Sequence, residues 1–571
     1  MNRRLSAFAL LALLSGCATV PHAPAGPVEV QILAINDFHG NLEPPRNAIE
    51  VTLGDGAVAK VPAGGVAYLA GAAKSLRQGQ KRSVTVSAGD MTGASPLVSA
   101  LFLDEPSVSA MNLVGVEYNA VGNHEFDKGS AELLRMQSGG CAKHTPRAPC
   151  RVEPFAGARF RYLAANVVRQ DGSTLFPGTG IKDFGDVQIG FIGMTLKETA
   201  TLVTPAGVAG LTFADEAATA NAAVPALNAA GADAIVLLIH QGARTSGGYN
   251  DKSCPGLDGD ILPILDRLDP AIDVVVSGHT HAAYICERER AVGGTPILLT
   301  SAGRYGTLIT DLRLTVDPAR GLVARRAGNV IVQGEGFGDV ALSDAAPRFA
   351  ADGATKALVD RYVAAAKPEA ARIVGRLSGT ADRKTDDDRE SSAGNLIADA
   401  QLDAGRAAGA QIAFINSGGV RTDLTPGADG SLTFGDLFAM QPFGNNIVVK
   451  TLTGTQLKAL LEQQFASGTN SAEQPNMLLP SRGFAFDYDL SRPAGERVVR
   501  MALDGRGIDP AARYRVAVNN FLASGGDNFT VLASGGEATD AGTDIDALEA
   551  YVRGGVTVPA TDRVRDVTPR S

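Results

Sequence analysis

Cysteine is scarce in this chain of 571 residues, five in all, and none sits in a context that would activate its thiol. A zinc–thiolate structural site is therefore unsupported as the organising chemistry. Basic residues are also in deficit. The 52 Lys and Arg face 61 Asp and Glu, for a formal net charge of −9, and no basic face is evident. That balance argues against a nucleic-acid polymer as partner. Beyond the first residues no apolar run is long enough to cross a bilayer, and no repeat or long low-complexity tract occurs.

Histidine is nearly as rare, with seven copies, and its placement is the informative feature. Five histidines end short apolar, β-rich runs beside an acidic or amide group. VQILAI leads into Asn36-Asp37-Phe38-His39, YNAV into Gly122-Asn123-His124-Glu125-Phe126-Asp127, AIVLLI into His240, and IDVVV into Ser277-Gly278-His279-Thr280-His281. A further run, VTVSA, ends in Gly89-Asp90. Such Val/Ile/Leu runs suit buried, largely parallel strands, whose carboxyl ends line the ligand crevice of an open α/β sheet. Asp37, His39, Asp90, Asn123, His240, His279 and His281 would then meet at one rim. Seven N/O donors exceed the four of a tetrahedral zinc and fit two ions sharing a carboxylate, with Asp90 placed to bridge. Two ions roughly 3.5–4 Å apart can clamp the attacking and departing oxygens of a phosphoryl transfer. The donor mixture accepts Zn, Mn, Co or Fe.

His124 stands apart from the ligands. Asp127 follows three residues later, on the same face of a helical turn. A carboxylate there favours the imidazolium against the opposing pull of a helix N-terminus and nearby metals. His124 would then be able to protonate a leaving oxygen or stabilise charge on the transferring group. The spacing equally allows Asp127 to act as a cap or to pair with Lys128.

Asn-Asp-Phe-His-Gly, Gly-Asn-His-Glu-Phe-Asp and Gly-His-Thr-His, in this order and at these separations, resemble the metallophosphoesterase signatures of the 5′-nucleotidase family. The resemblance continues through Ser392-Ala393-Gly394-Asn395-Leu396, Asn416-Ser417-Gly418-Gly419-Val420-Arg421, Pro442-Phe443-Gly444 and Asn520–Asp527, and covers nearly all of the chain after residue 27. It implies an α/β protein: an N-terminal four-layer αββα sandwich and a C-terminal α/β substrate-binding domain, joined by a linker helix. It implies two divalent metal ions, one held by Asp37, His39, Asp90 and His281, the other by Asp90, Asn123, His240 and His279. Some relatives carry Gln where His281 stands, so metal preference can differ. His124 and Asp127 would be the catalytic dyad. Phe443 and Phe521 would sandwich a nucleobase, Asn416 would touch the substrate, Arg421 would reach phosphate and Asp527 the ribose hydroxyls. Arg383 and Arg389 lie near further phosphate-binding positions of the family, but the intervening Asp386-Asp387-Asp388 run breaks the match.

The N-terminus Met1-Asn2-Arg3-Arg4 and the short apolar stretch after it form the n- and h-regions of a leader. Leu14-Ser15-Gly16-Cys17 resembles a bacterial lipoprotein cleavage box. Residues 1–16 would be the signal peptide, Cys17 the lipidated residue and 17–27 a Pro- and Ala-rich tether. A plain secretory signal is the competing reading. Both place the protein outside the cytoplasm, lipid-anchored at a periplasmic or cell surface in the first case, with the membrane met only through the lipid. Four cysteines remain, Cys141, Cys150, Cys254 and Cys286, an even number that permits disulfides in an exported chain. Cys141–Cys150 across a Pro-rich loop and Cys254–Cys286 beside the His279 strand is one of three pairings.

The length exceeds a single core. Residues 28–335 alternate strand and helix patterns, with helices expected over Leu101–Val114 and Asp215–Ala230 and an inserted loop over Gln137–Phe160. Residues 336–370 read as a linker with a helix at Ala354–Ala366, ending before Lys367-Pro368. Residues 371–568 read as the second domain, with helices at Asn395–Ala408 and Thr455–Phe465. The expected activity is 5′-nucleotidase hydrolysis of extracytoplasmic nucleotides, releasing phosphate and nucleoside. UDP-sugar hydrolase and 2′,3′-cyclic nucleotide phosphodiesterase are alternatives with the same metal motifs. A catalytically silent surface-binding lipoprotein would be expected to have lost ligands, and none is missing here.

Overall fold

The computed structural model describes residues 26–45, 48–52, 58–145, 147–290, 295–336 and 340–569. Residues 1–16, Cys17 and most of the tether lie outside them. Among the described residues no helix is long and apolar enough to cross a membrane.

The continuous apolar runs become strands buried on both faces. In Val28–Ile35, Val30, Ile32 and Ala34 enter one core while Leu33 and Ile35 enter another. In Ala234–His240, Val236 and Leu238 meet that first core, and Ile235, Leu237 and Ile239 point the opposite way. Strand side chains alternate, so a strand packed on both faces must be apolar throughout. Two six-stranded sheets share the inner core. One orders Gly321–Ile331, Leu308–Asp317, Val28–Ile35, Ser83–Ser87, Tyr118–Ala120 and Arg161–Leu163, the last four parallel. The other orders Ala283–Arg288, Ile297–Ala302, Ile272–Ser277, Ala234–His240, Gln188–Thr195 and Thr179–Asp183, the central four parallel. Helices Val66–Arg77, Glu105–Val114, Ser130–Ser138 and Gly353–Ala370 cover the first sheet's outer face, and Glu216–Ala229 with Leu262–Leu265 the second's. The result is a four-layer αββα sandwich.

The C-terminal part is built on a mixed five-stranded sheet: Leu478–Pro480, Ile412–Asn416, Arg513–Asn519, Asn446–Thr453 and Gly536–Thr543. Helices Ser392–Gly405, Gly454–Glu462 and Asp544–Val552 pack on it through Leu396, Leu460 and Leu548. The two parts touch at several points. Arg147 of the inserted loop lies over the Phe438 ring at 5.4 Å, and Gln474 Nε2 donates to Asp258 Oδ2 at 3.3 Å.

Several helix ends differ from expectation for local reasons. The helix expected from Leu101 begins at Glu105, because Leu103 and Asp104 turn left-handed (φ 57° and 64°) and Pro106 occupies the first turn. The helix expected to stop before Lys367-Pro368 runs on to Ala370. Pro368 lacks only one N–H near the terminus, and Ala371 N still reaches Lys367 O at 3.0 Å. Ser391 Oγ caps Gly394 N, so the next helix starts at Ser392, before the expected Asn395, and closes in a 3₁₀ turn over Arg406–Ala408. Gly454–Glu462 stops short of Phe465. The disulfides formed are Cys141–Cys150 and Cys254–Cys286, with Cα separations of 5.6 and 5.8 Å.

Candidate active site

The parallel strands of both sheets end at one rim, and the loops leaving them turn sharply. Asp37, His39, Asp90, His279 and His281 all adopt left-handed backbone, with φ between 47° and 70°. Such conformations cost about 1–3 kcal/mol each and persist where the surroundings enforce them. Asp and His tolerate them better than most residues. The turns are clamped by backbone pairs, Asp37 N to Gly89 O (3.0 Å) and His39 N to Asp90 O (2.9 Å).

All seven sequence-selected donors come together. His39 Nε2 lies 3.6 Å from Asp90 Oδ2 and 3.1 Å from His281 Nε2, which is 3.5 Å from Asp37 Oδ1. His240 Nε2 lies 3.0 Å from Asp90 Oδ2, and His279 Nδ1 lies 3.2 Å from Asn123 Oδ1. Asp90 Oδ2 therefore sits between His39 and His240. Asp37 also borders both groups, since Asp37–His39–His281 and Asp37–Asp90–His240 each converge.

The set fits divalent cations. Asp37 and Asp90 are buried, and among the described residues only histidines stand within ion-pair range of them. His39 Nδ1 and His240 Nδ1 face the carbonyls of Gly93 (2.9 Å) and Ala88 (2.8 Å). Donating there leaves each Nε2 lone pair directed into the site, the usual orientation of a ligating imidazole. His240 Nε2 is buried, and despite its closeness to Asp90 it makes no aligned hydrogen bond. With protons alone the balance is awkward. Burial pushes Asp37 up to about 7 despite the opposing charge of His240. Burial also takes His39 and His279 down to about 3. Cations would reverse that logic.

His124 Nδ1 is 2.8 Å from Asp127 Oδ2. Burial pulls the His124 pKa down, but Asp127 and Asp90 outweigh it, and the imidazole is raised above its ordinary value. Lys128 does not compete for Asp127: its Nζ bonds the buried Asp104 at 2.6 Å.

A cavity of about 260 Å³ opens from His124, Asp127 and His279 into the C-terminal part. Asn416, Arg421, Phe443, Phe521 and Asp527 all line it. The Phe443 ring faces His124 at 6.2 Å between centroids, nearly parallel, and Arg421 lies 5.8 Å from the same ring. Asn416 Nδ2 donates to Asp527 Oδ2 at 2.6 Å. Arg389 bends back in left-handed backbone (φ 65°). The adjacent acidic run is spent on structure, with Asp386 Oδ1 accepting from Asp388 N and Glu390 N, and Asp388 Oδ1 from Asp566 N.

Three further residues matter here: Glu125 and Lys450, which the sequence did not single out, and Arg383. Glu125 is buried, and its two oxygens accept from Asp90 N, Met91 N, Thr92 N and Gly122 N at 2.7–3.2 Å, fixing the Asp90 turn. Arg383, set aside because of the acidic run, donates from Nε to Val420 O at 2.7 Å and so joins the Arg421 turn. Lys450 is buried, and its Nζ donates to the carbonyls of Ala523 (3.1 Å), Leu532 (2.5 Å) and Ala533 (3.3 Å). It caps the ends of the two short helices that flank Asp527.

The chain is similar to known proteins in both sequence and fold. A calcineurin-like phosphoesterase model matches residues 30–283, and a 5′-nucleotidase C-terminal domain model matches residues 373–534. A cell wall protein of Listeria monocytogenes is 30% identical over 94% of this chain and 68% of its own length. An endonuclease of Bacillus subtilis is 29% identical over 92% of this chain, which spans 39% of that longer protein. The crystal structure of a 5′-nucleotidase precursor from Thermus thermophilus superimposes with a TM-score of 0.74 at 27% identity, covering 95% of this chain and all of that one.

Proposed function

Because the chain belongs to the two-domain 5′-nucleotidase family and is a metal-dependent phosphoester hydrolase, we propose that it dephosphorylates extracytoplasmic nucleotides, releasing phosphate and a nucleoside for salvage. The carrying observation is the single cavity that joins the Asp/His rim to Phe443, Phe521 and Asp527. Metal donors alone would suit any phosphoester, whereas two aromatic rings beside a carboxylate suit a base and a ribose.

In this reading Asp37, His39, Asp90 and His281 hold one divalent ion and Asp90, Asn123, His240 and His279 the other, with Zn, Mn or Co the best suited. Bound there, the ions supply Lewis acidity and neutralise the phosphoryl oxygens. Arg421 orients the phosphate through its planar fork. Asn416 holds Asp527 toward the ribose. His124 keeps Nδ1 on Asp127 and offers the Nε2 proton to the departing oxygen.

Chromatographic analysis of the products formed from AMP (adenosine and phosphate), UDP-glucose (UMP and glucose 1-phosphate) and 2′,3′-cyclic AMP (a nucleoside monophosphate), with and without chelator, tests the reading. Rapid chelator-sensitive release from AMP is expected, and no release from AMP after metal reconstitution would sink it. UDP-glucose or the cyclic nucleotide as the far better substrate would favour the alternative hydrolases. Single-stranded DNA belongs in the same panel, given the name of the Bacillus relative. The net charge of −9 predicts no cleavage of it.

Stacking contributes about 1–3 kcal/mol per base. Phe521→Ala should therefore raise KM for AMP about tenfold or more with kcat little changed, measured by steady-state kinetics. Lys450→Met should act in the same direction, because three carbonyls lose one ammonium, a loss on the order of 2 kcal/mol. An unchanged KM in a folded Lys450→Met enzyme would dissociate the cap from the substrate loop.

The leader and the Listeria relative's cell-wall name support an extracytoplasmic site of action, with Cys17 as lipid anchor. Fractionation of cells carrying Cys17→Ala should move the protein from membrane to soluble fractions. Retention in the membrane would argue against the anchor.

A further inference from the structure

We propose that the catalytic domain supplies the outer wall of the base compartment through Leu202, Val203 and Thr204, and that this wall selects nucleotides whose base carries no bulky substituent. The inference rests on the reading of the Phe443–Phe521 compartment as the base site. These three residues line the same cavity as the two rings, from the opposite domain. The short helix Thr199–Leu202 packs against the turn Gly526–Asn528 that carries Asp527. The wall therefore bridges the two domains, seated against the turn that carries Asp527 and lining the same compartment as the rings.

It is also held firmly. Val203 and Val208 are buried in the cluster beneath helix Ser130–Ser138, together with Phe126 and Leu133. Gly207 lies directly on the turn that follows the dyad: a Cβ there would come within 3.1 Å of Gly129 Cα and 3.3 Å of Phe126 O. Upstream, Thr199 Oγ1 and Thr201 Oγ1 bond the carbonyls of Leu196 and Glu198, and Lys197 N bonds Glu216 Oε1 at 2.7 Å. A segment fixed to the His124–Asp127 turn cannot retreat without disturbing it. The cavity volume of about 260 Å³ is shared between the dyad and the two rings. With Val203 anchored in the core, the half-buried Leu202 is the side chain of this wall that excludes added bulk by contact.

Two variants with opposite expectations test this. In the metal-loaded protein, wild type should favour AMP over N6-benzyl-AMP in kcat/KM. Leu202→Ala should raise the benzyl-to-AMP ratio at least fivefold. Leu202→Phe should lower the preference for AMP over ribose 5-phosphate, which has no base, by at least fivefold. Thermal melting and bound-metal content check that each variant is folded and loaded. Ratios within fivefold of wild type in both variants, or equal use of AMP and N6-benzyl-AMP by wild type, would overturn the wall. Failure of wild type to hydrolyse AMP at all overturns the nucleotidase reading and this inference with it. Normal AMP turnover with unmoved ratios overturns only the inference.

Discussion

Replacing His124 by Asn should lower kcat by roughly 10³-fold, within the range usual for a lost proton donor, while bound metal stays near two ions per chain. The expectation follows from position: His124 lines the substrate cavity, and its Nδ1 is committed to Asp127. Its raised pKa gives the pH signature. A histidine raised above 6.5 loses its proton only as pH climbs through that higher folded value. The wild-type kcat profile should therefore have an alkaline limb above pH 6.5 that the Asn variant lacks. The same shift makes protonated His124 stabilising below pH 6.5, with that contribution fading on the alkaline side. Metal analysis decides the assignment. Loss of an ion in parallel with activity would make His124 a ligand.

Asp90→Ala should be the most damaging single change. Asp90 Oδ2 stands between His39 and His240, while Oδ1 accepts the backbone N–H of His124 at 2.9 Å. Burial opposes its ionisation, but His240, His124 and His39 hold the carboxyl well below the usual range. Its removal takes a donor from both ion positions and loosens the dyad. We expect at most one ion per chain by elemental analysis and a loss of activity on the order of 10⁴-fold or more, as when members of a cooperating set are deleted. Retention of two tightly held ions would show that Asp37, which borders both groups, does the bridging instead.

Much of this was legible in the chain because parallel strands write their burial directly into composition. AIVLLI before His240 and IDVVV before Ser277 could be little else, and donors at their ends had one rim to occupy. The fold class followed from the same runs together with the family motifs. The supporting residues were not legible. Glu125 acts on Asp90 from 35 residues away, and Lys450 reaches carbonyls more than 70 residues on. No local periodicity records such contacts. Leu202–Thr204 drew no notice in the sequence, because its partner turn, Gly526–Asn528, belongs to the other domain. Helix ends misled where a backbone turn intervened, as at Asp104.

The left-handed ligand turns have an evolutionary consequence. Glycine would relax any of those five backbone positions, so each donor side chain stands where a sturdier molecule would carry none. Selection for heat tolerance alone would erode this rim first. A thermostable variant from such a screen would be expected to carry its gains elsewhere, or to have lost its metals.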